Sequence, residues 1–182
     1  LIAAIPDVVV RTDIGGKIVF VNQVALDISG YERSQIERQN ILDFIAPEDR
    51  PKAIDNMQRM FERALGPKEY HLMNRAGEKI LFEVNADVLR SADGTAYGIV
   101  NVCRDISERR RAEEALIESE KQYRLLFDNA NDAIFIAQDE YIKFPNPKTL
   151  EVMGYEDETS PQILFADQIH PDDRDAAVDF YT

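Results

Sequence analysis

The stretch that decides the fold is Ile45-Ala46-Pro47-Glu48-Asp49-Arg50, which recurs 124 positions later as Ile169-His170-Pro171-Asp172-Asp173-Arg174. Two further landmarks keep this offset, namely Asn22 with Asn146 and Gly30-Tyr31 with Gly154-Tyr155. A constant offset between short motifs of different composition indicates two copies of one structural unit on one chain.

The second copy is too short to be a complete unit. The chain has 182 residues, and each unit needs roughly 100 residues to bury a core. The repeat leaves only the last third of the chain for the second copy. We therefore predict a first unit over residues 1–106, a helical linker over 107–124 and the N-terminal half of a second unit over 125–182. The sequence is expected to be a piece of a longer protein.

The strong negative charge disfavours several classes of partner. The net charge is −13 and the pI is about 4.6, so phosphate backbones and anionic membrane surfaces should repel the chain. The sequence has no apolar run of about 18 residues, so we expect no membrane contact from this piece. The single cysteine, Cys103, rules out an internal disulfide and fits a reducing compartment. These features predict a cytoplasmic protein that does not bind nucleic acid.

The first half of the leading unit carries hairpin and helix signals. The β-branched runs 8–12 and 18–21 flank Gly15-Gly16, which predicts a β-hairpin. Asn22 is suited to cap a short helix that Gly30 ends. Small helical turns are expected to follow over 33–44.

A longer helix and three strands complete this unit. The helix is predicted over 47–65, with Pro, Glu and Asp in its first turn. Its expected apolar stripe consists of Ile54, Met57, Phe61, Ala64 and Leu65. Strands are predicted over 69–74, 79–89 and 96–106, and the middle one alternates apolar and polar residues. The order predicts an α+β unit, a five-stranded antiparallel sheet with helices on one face.

The segment that follows predicts a helix of a different kind. Residues 107–127 lack Gly and Pro and are rich in strong helix formers. A heptad seam with spacings of four and three is formed by Ala112, Leu116, Ser119, Tyr123 and Leu126. Two interpretations stay open: an amphipathic helix packed on its own domain, or a parallel coiled coil between two chains.

The order of these short motifs resembles that of the PAS domain family. In the first copy the resembling motifs are Ile5-Pro6-Asp7, Phe20-Val21-Asn22, Ser29-Gly30-Tyr31, Ala46-Pro47-Glu48-Asp49-Arg50, Arg75-Ala76-Gly77-Glu78 and the closing Arg104-Asp105-Ile106-Ser107-Glu108-Arg109. In the second copy they are Phe144-Pro145-Asn146, Met153-Gly154-Tyr155 and the stretch 169–174. The resemblance implies the PAS fold and a sensor and docking module, not an enzyme, in which sheet and helices enclose a cavity. It also implies dimerisation, signalling through terminal helices, and an output domain in cis such as a histidine kinase, a cyclic-di-GMP enzyme or a chemoreceptor.

The residues do not identify a cofactor. Flavin-adduct members of the family need a cysteine before the long helix, where this chain has Gln39-Asn40-Ile41-Leu42-Asp43-Phe44. Haem members typically place a histidine on that helix, which has none here. His71, His170 and Cys103 form no metal-ligand pattern. We predict no catalytic residue and no metal site, and we leave the cofactor unknown, with an unidentified small molecule as the alternative.

The candidate pocket residues are those expected on the inner faces of the sheet and helices. They are Phe20, Val24, Ile28, Met57, Phe61, His71, Phe82, Val84, Ile99, Asn101 and Cys103. Two alternatives stay open: these side chains enclose a small-molecule pocket, or they simply fill the core.

We expect a change in the first unit to shift the last strand and to pass into the linker helix. The expected relay residues are Asn22, Asp105, Ile106 and Ser107. The predicted function is detection of a small-molecule or redox signal and its relay to a downstream output domain such as a histidine kinase. The alternatives are a docking scaffold without ligand, because Val100 and Val102 should point away from the core, or the sensor region of a cyclic-di-GMP enzyme. A homodimer through the linker helix and the outer sheet face is expected.

Overall fold

The computed structural model describes residues 6–155 and 163–174. The chain divides into two compact units, residues 1–112 and 113–182, and each is described here by itself. The division falls inside one continuous helix. The position at 106/107, predicted as the end of the first unit, is therefore where that helix begins.

The first unit is built on a five-stranded sheet. Its strands are β1 (Val8–Thr12), β2 (Ile18–Val21), β3 (Lys68–Met73), β4 (Lys79–Arg90) and β5 (Ala96–Asp105). Their spatial order is β2-β1-β5-β4-β3, and every neighbouring pair is antiparallel. The predicted α+β class with a five-stranded antiparallel sheet is confirmed.

Short helices connect β2 to β3. They are α1 (Gln23–Ser29), α2 (Arg33–Ile36), a 3-10 turn (Ile41–Phe44) and α3 (Arg50–Arg59). The Asn22 side chain accepts a hydrogen bond from the Ala25 amide, and Gly30 ends α1 with a left-handed backbone at φ 69°. Asparagine suits the first role because its short side chain reaches the free amides of a helix start. Glycine suits the second because it lacks a Cβ that would clash at positive φ.

Helix α3 is shorter than predicted, and its inward face coincides only in part with the predicted stripe, because Met57 faces inward and Ile54 does not. It begins at Arg50 and ends at Arg59, whereas the sequence predicted 47–65. The buried residue of the helix is Ala53, and Ile54, expected in the stripe, is 43% exposed. The inward face includes the polar Asn56, which donates a hydrogen bond to the Tyr70 hydroxyl at 2.8 Å. Because Asn56 is polar, the spacing of apolar residues alone does not predict that it lies on the inward face of α3.

A β-bulge sets which side chains of the first hairpin face inward. Val10 lies opposite Val21 and Arg11 opposite Phe20, but Thr12 pairs with Ile18 because the register shifts by one residue. Paired residues share a face of the sheet. The bulge therefore places both ends of β2 on the inner face and leaves Phe20 on the outer face.

The linker is the helix α4, which begins at Ser107 and ends at Asp128. It extends beyond the predicted limit at residue 124, because the run of helix-forming residues continues through Leu125-Leu126-Phe127. None of its residues is buried. The alternative of an amphipathic helix packed along its own domain is therefore wrong for most of its length.

The described part of the second unit repeats the start of the first. It contains β6 (Ala137–Gln138), β7 (Tyr141–Ile142), α5 (Pro147–Met153), β8 (Ile163–Leu164) and two 3-10 turns (Phe165–Gln168 and Pro171–Asp173). Its small core consists of Ile142, Leu150 and Ile163.

The sequence predicts a counterpart of the first hairpin over the runs 133–137 and 141–144, but the strands β6 and β7 are shorter. In the first unit β1 is paired on both sides, whereas among the described residues β6 pairs only with β7. Fewer ladder hydrogen bonds therefore hold this hairpin. The second long helix, expected to continue to residue 182, falls mostly outside the described residues.

Candidate functional site

A cavity of about 160 Å³ lies between the inner face of the first sheet and the helices α1 to α3. Its walls are mainly apolar, and they include most of the predicted pocket residues. The predicted residues that line it are Ile28, Met57, Phe82, Val84, Ile99, Asn101 and Cys103. Alternation along β4 and β5 accounts for five of these positions, because residues two apart on a strand share a face.

Four predicted pocket residues lie away from the cavity. Phe20 is on the outer sheet face because it pairs with Arg11 and alternates with the inward Val21. Val24 packs beside the core, while Ala25 and Ile28 carry the inward face of α1. Phe61 follows the end of α3, where its carbonyl accepts a hydrogen bond from Arg90 at 3.1 Å.

His71, the fourth of these residues, joins strand β3 to the start of α3. On β3, the neighbours Tyr70 and Leu72 line the cavity instead. The Asp49 carboxylate accepts hydrogen bonds from the His71 backbone amide at 2.8 Å and approaches the ring Nδ1 at 2.9 Å. The backbone hydrogen bond, reinforced by the ring, lowers the pKa of Asp49 below its usual range. The pair fixes the edge strand and has no contact with the cavity.

The first hairpin supplies cavity residues that the sequence analysis missed. Val8, Val10 and Thr12 of β1 and Ile18 and Val21 of β2 line the cavity. The alternation of β1 was visible in the sequence, since these three residues are two apart. The inward position of Ile18 was not visible in the sequence, because the bulge places Ile18 on the same face as Val21.

The polar groups of the cavity are few. Thr12 is 1% exposed, and within the described residues its Oγ1 is buried without a hydrogen-bond partner. Asn101 is 8% exposed, and its Nδ2 donates to the Val10 carbonyl at 3.5 Å, the outer limit of a hydrogen bond. Burial raises the pKa of Tyr70 above its ordinary value of 10.0, so this hydroxyl stays protonated. The cavity therefore offers neutral hydrogen-bonding groups in an apolar setting.

Cys103 lines the cavity as a buried thiol. Its side chain is 3% exposed. Burial, assisted by the negative charge of Asp7, raises the pKa of the Cys103 thiol to about 12. The thiolate is the reactive form of cysteine, so this residue behaves as a small apolar wall group.

The end of β5 leads directly into α4. The buried Ile106 is 2% exposed and donates its amide to the Leu81 carbonyl of β4 at 3.0 Å. Asp105 accepts a hydrogen bond from the Ser107 amide at 2.8 Å and so caps the helix start. These three predicted relay residues form one joint between the sheet and the linker helix.

Asn22, the fourth predicted relay residue, is buried at the open end of the first hairpin, away from the turn that joins β1 to β2. Its Oδ1 accepts from the amides of Val9 and Ala25, both at 3.1 Å, and its Nδ2 donates to the Asp7 carbonyl at 2.9 Å. Asp7 in turn binds the Arg104 guanidinium of β5 at 2.9 Å. Asn22 is thus linked to the end of β5 through Asp7.

Ion pairs at the base of α4 were not predicted. Arg110 lies 2.8 Å from both carboxylate oxygens of Glu69 on β3, and Arg109 lies 3.7 Å from Glu83 on β4. From the sequence, the three arginines at 109–111, which are followed by four glutamates, are expected to form a solvated helix face. The signal that could have located these pairs is the position of Glu69 and Glu83, which lie directly opposite each other on adjacent strands and would repel without cations nearby.

Most of the predicted seam residues of α4 are exposed to solvent in the single chain. Leu116 is 61%, Tyr123 72% and Leu126 73% exposed. Ala112 is also exposed. These side chains form an apolar stripe without a partner among the described residues.

Residues 6–155 and 163–174 hold no group of three or more His, Cys, Asp or Glu placed to bind a metal ion. None of the helices described there combines the length and apolar character that crossing a membrane requires.

Comparison with known proteins identifies relatives of both units. Residues 6–108 and residues 121–181 each match a family model described as PAS domain. The biofilm dispersion protein BdlA of Pseudomonas aeruginosa is 24% identical over 119 residues, which are 64% of this chain and 28% of that protein. Sporulation kinase E of Bacillus subtilis is 23% identical over 161 residues, which are 85% of this chain and 20% of that protein. The chain thus spans less than a third of either relative.

A solved structure shares the fold. The sensory box histidine kinase/response regulator from Burkholderia thailandensis superposes with a TM-score of 0.52 at 23% identity, covering 66% of this chain and 92% of that one. At this identity the likeness establishes the fold alone.

Proposed function

Because the chain belongs to the PAS domain family, we propose that it is the sensory region of a cytoplasmic signalling protein. It binds a small molecule in the cavity of the first unit and relays binding through α4 to an output domain in cis. One observation carries this proposal: the strand that lines the cavity, β5, is separated from the linker helix by a single buried residue.

The relay follows from the position of that residue. Ile99, Asn101 and Cys103 line the cavity from β5. Since Ile106 is buried and hydrogen-bonded to Leu81 on β4, a shift of β5 against β4 moves the base of α4. A ligand that favours one position of β5 therefore shifts the population of one arrangement of the linker helix.

The output domain is proposed to be a histidine kinase. Support comes from the alignment with sporulation kinase E, which covers 85% of this chain. A cyclic-di-GMP enzyme is the alternative output. Thiol redox sensing is disfavoured for this unit because Cys103 is buried and its pKa is raised to about 12.

We propose that the chain dimerises through the stripe of α4 made by Ala112, Leu116, Tyr123 and Leu126. The exposure of these side chains supports a partner helix, because apolar side chains at heptad spacing are stabilised by burial against a second helix. Leu125 is 64% exposed but lies off the stripe, which offers a matched control.

A docking scaffold is the second candidate function. It is favoured by the outer sheet face, where Val100 and Val102 lie half-buried opposite Arg11 and Val9 of β1. A scaffold would use this face and would retain no ligand. The two functions therefore differ in whether a small molecule stays bound to the purified protein.

Native mass spectrometry of the purified chain tests the proposal. We expect a dimer that retains a small molecule. Ala86 lines the cavity, so Ala86→Leu should fill it and abolish retention, whereas Ala92→Leu in the exposed β4–β5 turn should not.

Leu126→Glu should give a monomer, and Leu125→Glu should leave the dimer intact. Retention that is unchanged in Ala86→Leu would overturn the ligand site, and a monomeric wild-type chain would overturn the dimer.

A further inference from the structure

Building on the proposed sensor function, we propose that the cavity recognises a small, uncharged, largely apolar molecule with one hydroxyl group. Thr12 and Asn101 would bind that hydroxyl. The size of the cavity, the charge of its walls and the unpaired Thr12 hydroxyl each restrict the ligand independently.

The volume restricts the ligand to a few atoms. The cavity measures about 160 Å³. An engineered protein cavity of about 150 Å³ with aliphatic and aromatic walls binds benzene. A ligand with roughly six to eight non-hydrogen atoms therefore fits without rearrangement of the walls.

The walls exclude a charged group from the interior. Among the described residues that line the cavity, Lys68 alone carries a charged side chain, and this residue is half-buried at the start of β3. An ion placed deeper would lose its hydration without gaining a counter-charge. The interior therefore favours an uncharged ligand.

The polar side chains that the sheet presents to the cavity determine where the ligand hydroxyl binds. Thr12 lies opposite Ile99, and Val10 lies opposite Asn101, on the adjacent strands β1 and β5. Thr12 and Asn101 are thus diagonal neighbours on the inner face, within reach of one small group. Buried hydroxyls without a partner are rare in folded proteins, and the Thr12 Oγ1 is one. A ligand hydroxyl can donate to one of these side chains and accept from the other.

Basic side chains at the rim of the cavity would favour a ligand of another class, an anion. An exposed groove next to the cavity shares Asn56, Leu65 and Lys68 with it and also contains Lys52 and Arg63. Those cations would attract an anionic head group. They lie on the solvent side of the cavity, whereas Thr12 is 1% exposed in its interior. The interior therefore determines the proposed class of ligand, and an anionic ligand is the competing outcome of the test.

Three probes of similar size separate these cases: phenol, toluene and benzoate. Dissociation constants are measured on the full chain by NMR titration, following the side-chain amide of Asn101. We expect phenol to bind about tenfold more tightly than toluene, since it gains one buried hydrogen bond, and benzoate to bind most weakly.

The variant Thr12→Val removes the hydroxyl at nearly constant volume, and valine suits a strand. It should bring the ratio of phenol to toluene affinity close to one, whereas Thr95→Val in the exposed β4–β5 turn should leave the ratio unchanged. Equal binding of phenol and toluene by the wild type would overturn the proposed class. Tightest binding of benzoate, lost in Lys68→Gln, would replace it with an anionic ligand. Failure of all three probes to bind would overturn the small-molecule sensor itself.

Discussion

The guanidinium of Arg110, in the first turn of α4, lies 2.8 Å from both carboxylate oxygens of Glu69 on β3. The hydrogen bond from Arg110 lowers the pKa of Glu69 below its ordinary value of 4.5. Both side chains are partly exposed, so the pair adds little to global stability. Its importance is positional, because it holds the base of the linker helix against an edge strand whose neighbouring residues line the cavity.

We expect Glu69→Gln to loosen the base of α4. The substitution removes the negative charge while keeping the size of the side chain. Backbone amides in the first two turns of α4 should exchange with deuterium faster, while those of β4 and β5 should be unchanged. Exchange is measured by mass spectrometry of peptides that cover 104–114. Glu62→Gln, at an exposed position after α3, is the control and should change neither region.

The effect should depend on pH in a definite direction. Because the pKa of Glu69 is lowered in the folded protein, the contribution of the pair is present above the ordinary carboxyl value and is lost as pH falls through the folded value. The difference between wild type and Glu69→Gln should therefore be full at neutral pH and vanish in acid. Equal exchange of the two proteins at pH 7 would show that the pair does not hold the helix.

The repeated asparagine illustrates what the sequence could predict. Asn22 and Asn146 were identified from the constant offset, and both cap the helix that follows. Each also accepts from a backbone amide earlier in its own unit: Asn22 from Val9 of β1 at 3.1 Å, and Asn146 from Ile134, which precedes β6, at 2.9 Å. The cap could be predicted because it joins residues three apart, whereas the hydrogen bonds to Val9 and Ile134 join segments distant in sequence and could not.

Features that depend on two segments at once could not be predicted. Phe20 lies opposite the outward-facing Arg11, while the bulge beyond that pair brings Ile18 to the inner face, and neither strand alone encodes this register. Helix α3 turns Asn56 inward because the Tyr70 hydroxyl on β3 is there to accept its hydrogen bond. Simple alternation along β4 and β5 therefore places residues at the cavity without tertiary information, whereas the inward faces of α3 and the first hairpin depend on contacts between segments.

Gly98 is a position where a single methyl group should be costly. A Cβ built on this residue of β5 would lie 2.6 Å from the backbone carbonyl oxygen of Thr12. Neither backbone can move without disturbing the β1–β5 ladder, so Gly98→Ala should lower the free energy of unfolding of the first unit by about 1–3 kcal/mol.

Native-state hydrogen exchange of the β1 and β5 amides reports this free energy for the first unit alone. Gly15→Ala is the matched control, because the nearest atom to its Cβ would be a carboxylate oxygen of Asp13 at 3.4 Å. It should change the free energy by less than about 0.5 kcal/mol. A Gly98→Ala protein as stable as the control would show that the strands part more easily than this contact implies.

Cys103 should resist thiol reagents in the folded chain. Its side chain is 3% exposed, and burial raises the pKa of the thiol to about 12, so at pH 8 almost no thiolate is present. Ellman's reagent should therefore react slowly with the native protein and release one equivalent after unfolding in urea. Ala92→Cys adds a thiol in the exposed turn between β4 and β5 and should release one equivalent rapidly in the native state and two after unfolding. Rapid reaction of the native wild-type chain would place Cys103 within reach of solvent and would restore thiol redox chemistry as a signal for this unit.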